Sequence, residues 1–425
     1  MTLGLAMPPL SSSPTRPIAP AASSTPTATH RLELIDALRG FALFGVLLVN
    51  LRSFSLFEFM GSADRALLPT AGWDRLLDGA MALLVDGRSI TLFSLLFGLG
   101  FALQMQRAGD SLEGMRRHVR RMGVLLAIGL AHAWLLWWGD ILRYYAVCGL
   151  LLLAFTGLRA RTLAWLGAIV AVVLPVLLQP IVAPWLPRQA GMAEAAAAAS
   201  QAFGSSDFAT MLDGNLARDL RMRIAIWWLP LFVLGRLLIG MALGRADVLR
   251  QSVAHRRFWR RLLAASFAAT LVATVLLMLR DQGAAEGIGA WLRHDASGRI
   301  VTRLLREAAP LAQGLFYMAA FVLLFQRAAW RHWLRKLAPL GRMALSNYLV
   351  QTLAGLSLFY GVGLGIGPKF GLVGVALACV AIFALQAAAS CWWLRRYRLG
   401  PVEWAWRSLV QGRMAPMRSQ REERA

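Results

Sequence analysis

The chain has 425 residues, of which 58% are hydrophobic and 16% charged, and its formal net charge is +23. Ordinary soluble domains carry about 25% charged residues. That class is excluded, because the apolar residues here come in runs of about twenty, the length that spans a bilayer core. The basic residues lie between those runs, as in cytoplasmic loops facing anionic head groups, so a lipid bilayer is the expected partner and nucleic acid is not.

Residues 1–30 are rich in Pro, Ser, Thr and Ala and lack the basic start and apolar core of a secretory signal peptide. They bury too little apolar surface to order themselves, which predicts a disordered tail. A transmembrane helical domain is expected over 31–410 and a basic cytoplasmic tail over 411–425. Hydropathy predicts an all-α bundle of about ten transmembrane helices, near 37–57, 88–106, 121–139, 141–158, 162–186, 225–244, 261–280, 308–326, 342–361 and 371–394. The stretch 73–85 is apolar on one side but carries Asp74, Arg75 and Asp78, which predicts an interfacial or re-entrant helix. Two long loops, 188–224 and 281–307, fall on the side opposite the termini. The first has an Ala-rich stretch suited to a short amphipathic helix.

With ten spans, the side holding both termini carries 29 Lys and Arg against 8 Asp and Glu, and the other side 14 against 14. The positive-inside rule then places both termini in the cytoplasm. Cys148, Cys379 and Cys391 show no CxxC spacing, so neither a metal site nor a disulfide framework is indicated. Tryptophans gather near span ends as an aromatic belt. No internal repeat is evident, which counts against an inverted-repeat transporter.

Charged and polar residues inside spans are costly and point to function. In the first span Asp36 and Arg39 lie three apart on one face, Gly40 and Gly45 permit close approach of another helix, and Asn50 and Arg52 stand near the far end. Arg88 opens the second span, whose Phe/Gly alternation suits tight packing. The third holds His132, the one histidine within a predicted span. Asp140, eight residues on, would lie roughly 12 Å away along a continuous helix and out of its reach. Another Asp or a water would then orient the ring. A neutral imidazole beside a wet cavity can act as a general base near neutral pH, or can bridge helices structurally. Arg236 is too central to snorkel and needs an anionic partner or ligand. Ser346, Asn347 and Gln351 suit an interhelical hydrogen-bond network, with Asn347 and Gln351 on one face. After the last span, Pro401 suits a helix start, and Glu403 and Arg407 form an i,i+4 pair on a short interfacial helix.

Five stretches together resemble the YeiB family of bacterial inner-membrane proteins. They are Asp36-Ala-Leu-Arg39-Gly40-Phe41-Ala42 through Asn50; Phe93 to Phe101; Gly139-Asp140-Ile141-Leu142 with Tyr145-Ala146; Gly341-Arg342-Met343-Ala344-Leu345-Ser346-Asn347-Tyr348; and Gly400-Pro401 with Glu403-Trp404 and Trp406-Arg407. The resemblance implies a multi-pass inner-membrane protein whose C-terminal part, roughly 225–410, is a domain of unknown function. The family is in turn distantly similar to transmembrane acyltransferases, such as the lysosomal heparan-alpha-glucosaminide N-acetyltransferase, through the Asp36-x-x-Arg39-Gly40 pattern. That similarity implies an acyl-CoA co-substrate, an envelope glycan or lipid acceptor, and no bound cofactor or metal. Such enzymes use a histidine in or soon after the first helix. This sequence has none between His30 and His118, so His132 is the candidate base and Asn50 a candidate oxyanion donor.

Three readings follow. In an acyltransferase, Asp36, Arg39, Arg342 and Arg407 organise the inner mouth toward the donor, and His132 activates the acceptor. Asn50, Arg52, Arg88 and Asp140 then shape the outer cavity, and Arg236 and Asn347 complete the candidate binding residues. In a transporter or flippase for an anionic solute or lipid, Arg52, Arg88, Arg236 and His132 hold the charge. In a structural or regulatory subunit the buried charges only pair with one another.

Overall fold

A computed structural model describes residues 28–109, 111–187, 189–249, 251–282, 286–367 and 369–418. Among them the chain is helical throughout, with no β-strand and one isolated bridge between Tyr397 and Arg418. Most of the expected tails, 1–27 and 419–425, lie outside the described residues. The helices in chain order are α1 (Ala28–Phe54), α2 (Ser62–Ala66), α3 (Ala71–Leu84), α4 (Arg88–Ala108), α5 (Leu112–Leu135), α6 (Leu142–Leu151), α7 (Ala160–Ala168) and α8 (Leu174–Val182). Then follow α9 (Gln189–Gly204), α10 (Phe208–Ala225), α11 (Leu229–Arg245), α12 (Arg256–Asp281), α13 (Gly287–His294) and α14 (Ala296–Phe325). The last are α15 (Ala328–Leu334), α16 (Ala338–Arg342), α17 (Ala344–Phe359), α18 (Gly371–Arg396) and α19 (Pro401–Gln411).

Among the described residues six helical stretches are long and apolar enough to cross a membrane: Glu33–Phe54, Ala71–Ala108, Ala160–Trp185, Arg256–Asp281, Ala296–Phe325 and Gly371–Arg396. A seventh arises if α10 and α11, bent by 68° at their junction, count as one broken span. The difference from ten has a physical source in each case. The N-terminal half of α5 carries Glu113, Arg116, Arg117, Arg120 and Arg121. The stretch Leu142–Phe155 is too short at 1.5 Å per residue to cross a core of about 30 Å. Span 225–244 is α11, the second helix of the bent pair, and α17 has 16 residues after the break at Met343. The loop expected over 188–224 is almost entirely α9 and α10.

Small residues set the helix spacing. A Cβ on Gly98 would stand 1.9 Å from the Leu237 carbonyl oxygen, and one on Gly240 2.1 Å from that of Leu95, so α4 and α11 cross backbone to backbone. Without a hydrophobic drive between helices in lipid, such close approach is what binds them. Gly40 likewise admits the Leu337 carbonyl, and Gly341 admits that of Asp36, which locks α16 against α1. Gly45 faces Ser89 of α4. A π-helical turn over Ile169–Val173 joins α7 to α8 where Ala171 meets Gly235. The stretch expected as an interfacial or re-entrant helix over 73–85 is α3, which with α4 makes up the apolar stretch Ala71–Ala108. It turns into α4 through Gly87, whose φ of 75° suits glycine. Asp74 at its start accepts the Val373 N–H at 2.9 Å and so anchors α3 to α18.

Candidate functional site

The helix carrying His132 does not continue to Asp140. Helix α5 ends at Leu135; the N–H groups of Leu136 and Trp137 both donate to the His132 carbonyl, and the chain turns back through Trp138 and Gly139. Gly139 is packed against the Trp137 ring, and Gly129 lets α6 return within van der Waals reach of α5. The 12 Å separation read from a continuous helix is therefore corrected. His132 Nδ1 and Asp140 Oδ2 are 2.8 Å apart, and both residues are 2% exposed. No second Asp or water is needed to orient the ring. The other Asp140 oxygen accepts the Arg143 N–H at 3.0 Å, so one carboxylate caps α6 and aims the imidazole.

The second ring nitrogen faces α17. His132 Nε2 lies 2.9 Å from Thr352 Oγ1, and Thr352 is fully buried. With the Asp140 oxygen as acceptor, Nδ1 carries the ring proton, Nε2 offers its lone pair, and the Thr352 hydroxyl donates to it. The Tyr348 ring flanks the imidazole at 5.2 Å between centroids. Both nitrogens are thus taken, and Asn50, buried near the end of α1, is not among the partners of His132.

Helix α10 closes the assembly. Asn215 accepts the Trp138 N–H at 2.7 Å and donates to the Ala133 and Trp134 carbonyls, satisfying groups that the break in α5 leaves open. One turn on, Asp219, 1% exposed, accepts from Arg143 and Arg223. The sequence reading missed Thr352, Asn215 and Asp219. Asn215, Asp219 and Arg223 recur every four residues, a one-face pattern that could have marked α10. Thr352 follows Tyr348 by four residues, with no other signal.

The remaining candidates form two groups at opposite ends of α1. At the C-terminal end Arg52 pairs with Asp78 at 3.0 Å and Asp86 at 2.9 Å, and Arg65 pairs with Asp78. Arg88 donates to Gln313 and to the Ala82 and Asp86 carbonyls. Neither Arg52 nor Arg88 joins the His132 group. Nearby, outside the spans, burial pushes the Glu58 carboxyl above its usual range, against a Ser53 hydrogen bond and the charges of Arg218, Arg52 and Arg65.

At the N-terminal end Asp36 and Arg39 form a pair at 3.4 Å, as their spacing implies. Arg39 lies over Gly100 of α4. Arg121 stacks 4.9 Å over the Trp406 ring and donates to Gln104, with the positive charges of Arg39 and Arg407 acting on it. Arg342 acts on Asp36 and donates to the Arg398 carbonyl at 3.3 Å. Glu403 does not pair with Arg407. Its carboxylate accepts the N–H groups of Leu345 and Ser346 and the Ser346 hydroxyl, capping α17, whose exposed donors attract it more than a solvated side chain does.

Asn347 donates to Ser390 at 3.0 Å, Gln351 to Gln386 at 3.0 Å, and Gln386 to the Asn347 carbonyl, which is the expected network between α17 and α18. It borders a cleft of about 170 Å³ lined also by Trp392 and Trp393. Arg236 is fully buried without a carboxylate in ion-pair range among the described residues. Its Nε donates to Thr91, one terminal nitrogen donates to the Phe232 carbonyl, and the other has no partner. Among the described residues no three His, Cys, Asp or Glu side chains converge as a metal site.

A family model described as "Protein of unknown function (DUF418)" matches residues 243–413. The chain is 30% identical to the "Uncharacterized protein YxaH" of Bacillus subtilis (strain 168) over 413 residues, covering 91% of this chain and 96% of that protein. It is 28% identical to the "Uncharacterized protein YeiB" of Escherichia coli (strain K12) over 392 residues, covering 88% and 95%. No solved structure matches it. With six or more apolar helices and near full-length likeness to these relatives, the chain is a multi-pass helical membrane protein and belongs to the YeiB-like, DUF418-containing family.

Proposed function

We propose that this protein is a membrane-embedded acyltransferase of the bacterial inner membrane. Both termini are cytoplasmic, and an acyl group passes from an acyl-CoA donor to an envelope glycan or lipid acceptor. The observation that carries the reading is the buried imidazole–carboxylate pair, His132 with Asp140 at 2.8 Å, its second nitrogen held against the Thr352 hydroxyl at 2.9 Å. That arrangement is what general-base activation of a hydroxyl requires: the carboxylate fixes the tautomer and stabilises the imidazolium formed when Nε2 takes a proton. The arginine group at the N-terminal end of α1 supports the donor half, because Arg39 and Arg407 stand close enough to act on Arg121 and the three together suit a phosphorylated donor. Titrating the detergent-purified protein with acetyl-CoA and with palmitoyl-CoA tests it. A saturable rise in melting temperature, lost in Arg39→Ala, together with release of CoA thiol as water takes the acyl group in place of the acceptor, lost in His132→Gln, is expected. Absence of both would sink the reading.

One observation favours the transporter or flippase reading instead: Arg236, buried in α11 with a terminal nitrogen that has no acceptor. Under it Arg236→Lys alters uptake or lipid scrambling of an anionic species in proteoliposomes, and no thiol is released from any acyl-CoA. If neither assay responds, the buried charges serve structure alone.

A further inference from the structure

Serine and threonine hydroxyls in buried helices ordinarily donate to the carbonyl four residues back. This protein does so repeatedly: Thr91 to Gly87 at 2.6 Å, Ser94 to Ile90 at 2.8 Å, Ser266 to Leu262 at 2.6 Å and Thr270 to Ser266 at 2.8 Å. Thr352 departs from that habit. Its bond to the Tyr348 carbonyl is stretched to 3.5 Å, while His132 Nε2 stands at 2.9 Å. The hydroxyl has been turned off its own helix and onto the imidazole. Thr352, His132 and Asp140 thus form a hydroxyl–imidazole–carboxylate relay drawn from α17, α5 and the turn before α6.

We infer that Thr352 is a nucleophile that carries the acyl group as an ester between donor and acceptor. This rests on the acyltransferase reading and specifies its chemistry as two displacements. In the first, the Thr352 hydroxyl gives its proton to His132 Nε2 and its oxygen attacks the carbonyl carbon of the thioester. The carbon–sulfur bond breaks, and the sulfur leaves as a thiol with the proton returned by His132. In the second, an acceptor hydroxyl gives its proton to Nε2 and attacks the ester carbon, and the Thr352 oxygen leaves and recovers the proton. No oxidant or further reactant is needed. The placement gives the ester a purpose. Ser346, on the first turn of α17, is held by Glu403 at the end where the arginines gather, and Thr352 lies six residues further along α17, roughly 9 Å toward the other end. An acyl group parked on Thr352 has already moved away from its donor's charged portion.

The test mixes the full-length protein in detergent with acetyl-CoA or palmitoyl-CoA in the absence of acceptor. It measures CoA released in the first turnover and maps acyl mass on digested peptides. The expected result is a burst close to one CoA per protein with the acyl group on the peptide containing Thr352. Thr352→Ser keeps the burst, and Thr352→Val, which preserves shape, lowers it at least tenfold. A burst of full size in Thr352→Val, or an adduct on another residue, overturns the inference. Steady thiol release that depends on His132 but survives Thr352→Val overturns the covalent step and leaves acyl transfer standing as a direct reaction. Donor-induced stabilisation without any burst does the same. No stabilisation and no thiol release from the wild-type protein removes both.

Discussion

The two ends of α1 carry the same kinds of side chain and treat them differently. At the C-terminal end Arg52 is held by two carboxylates, Asp78 and Asp86, and Arg65 shares one of them. At the N-terminal end Asp36 and Arg39 form a long ion pair, and three arginines, 39, 121 and 407, face one another with glutamine and tryptophan for company. The first group is neutralised and ties α3 and the α3–α4 turn to α1. The second sets positive charge beside positive charge at the edge of a low-dielectric bundle, where an arriving anion gains most. The same residue type is structural where acids accompany it and available where they do not.

The relay between the two ends gives the largest expected effects. His132→Gln should lower CoA release by about 10²–10⁴-fold, the usual worth of a positioned base. Asp140→Asn should cost somewhat less, because the tautomer is disturbed while the ring stays in place. If His132→Gln kept wild-type turnover, the contrast between the ends would have no reaction to serve. Next comes Asp219→Ala, which leaves Arg143 buried beside its loss. Removing one partner of a buried pair costs about 3–5 kcal/mol. Buried Cys148 and Cys379 report it through the temperature at which a thiol dye reacts.

The comparison itself is sharpened by a matched pair. Arg39→Ala should weaken acetyl-CoA binding about tenfold, or about 1.4 kcal/mol, with little loss of stability. Arg52→Ala should leave that affinity unchanged and destabilise the fold by about 1 kcal/mol, discounted because its acidic partners are about one-third exposed. Equal behaviour of the two variants would erase the distinction. The smallest effect is a pH dependence at Glu58. Its carboxyl sits above the ordinary 4.5 in the folded protein, so the stability linked to it is full below that value and is lost as pH rises through the folded one. Glu58→Gln should therefore flatten this part of the stability profile, read as the melting temperature of variant against wild type between pH 4.5 and 8.

Two of the long apolar helices were legible from hydropathy to within two residues, whereas α14 begins twelve residues before its expected span. The second predicted span, 88–106, is α4 at Arg88–Ala108, and the last, 371–394, is α18 at Gly371–Arg396. The Asn347–Gln351 spacing likewise announced the network with α18. What stayed hidden depended on breaks in helices. Periodicity runs through Trp137-Trp138-Gly139 without interruption, because tryptophans at a membrane edge look the same in a helix and in a turn. Only packing of Trp137 against Gly139 shows that the chain reverses there and delivers Asp140 to His132. Glu403 shows the opposite limit. Its i,i+4 spacing to Arg407 was real, but the unfilled donors at the start of α17, far away in sequence, outcompeted it.

The His132–Asp140 pair is made entirely within one short hairpin, α5 to α6, whereas Thr352 arrives some two hundred residues later, inside the segment matched by the DUF418 model. In the order of synthesis, the imidazole and its carboxylate leave the ribosome together, before the second half of the chain is made. The hydroxyl that faces them reaches the membrane only near the end. A chain truncated before α17 therefore lacks the hydroxyl that faces the imidazole, and the three-residue relay is completed only by the last helices to be made.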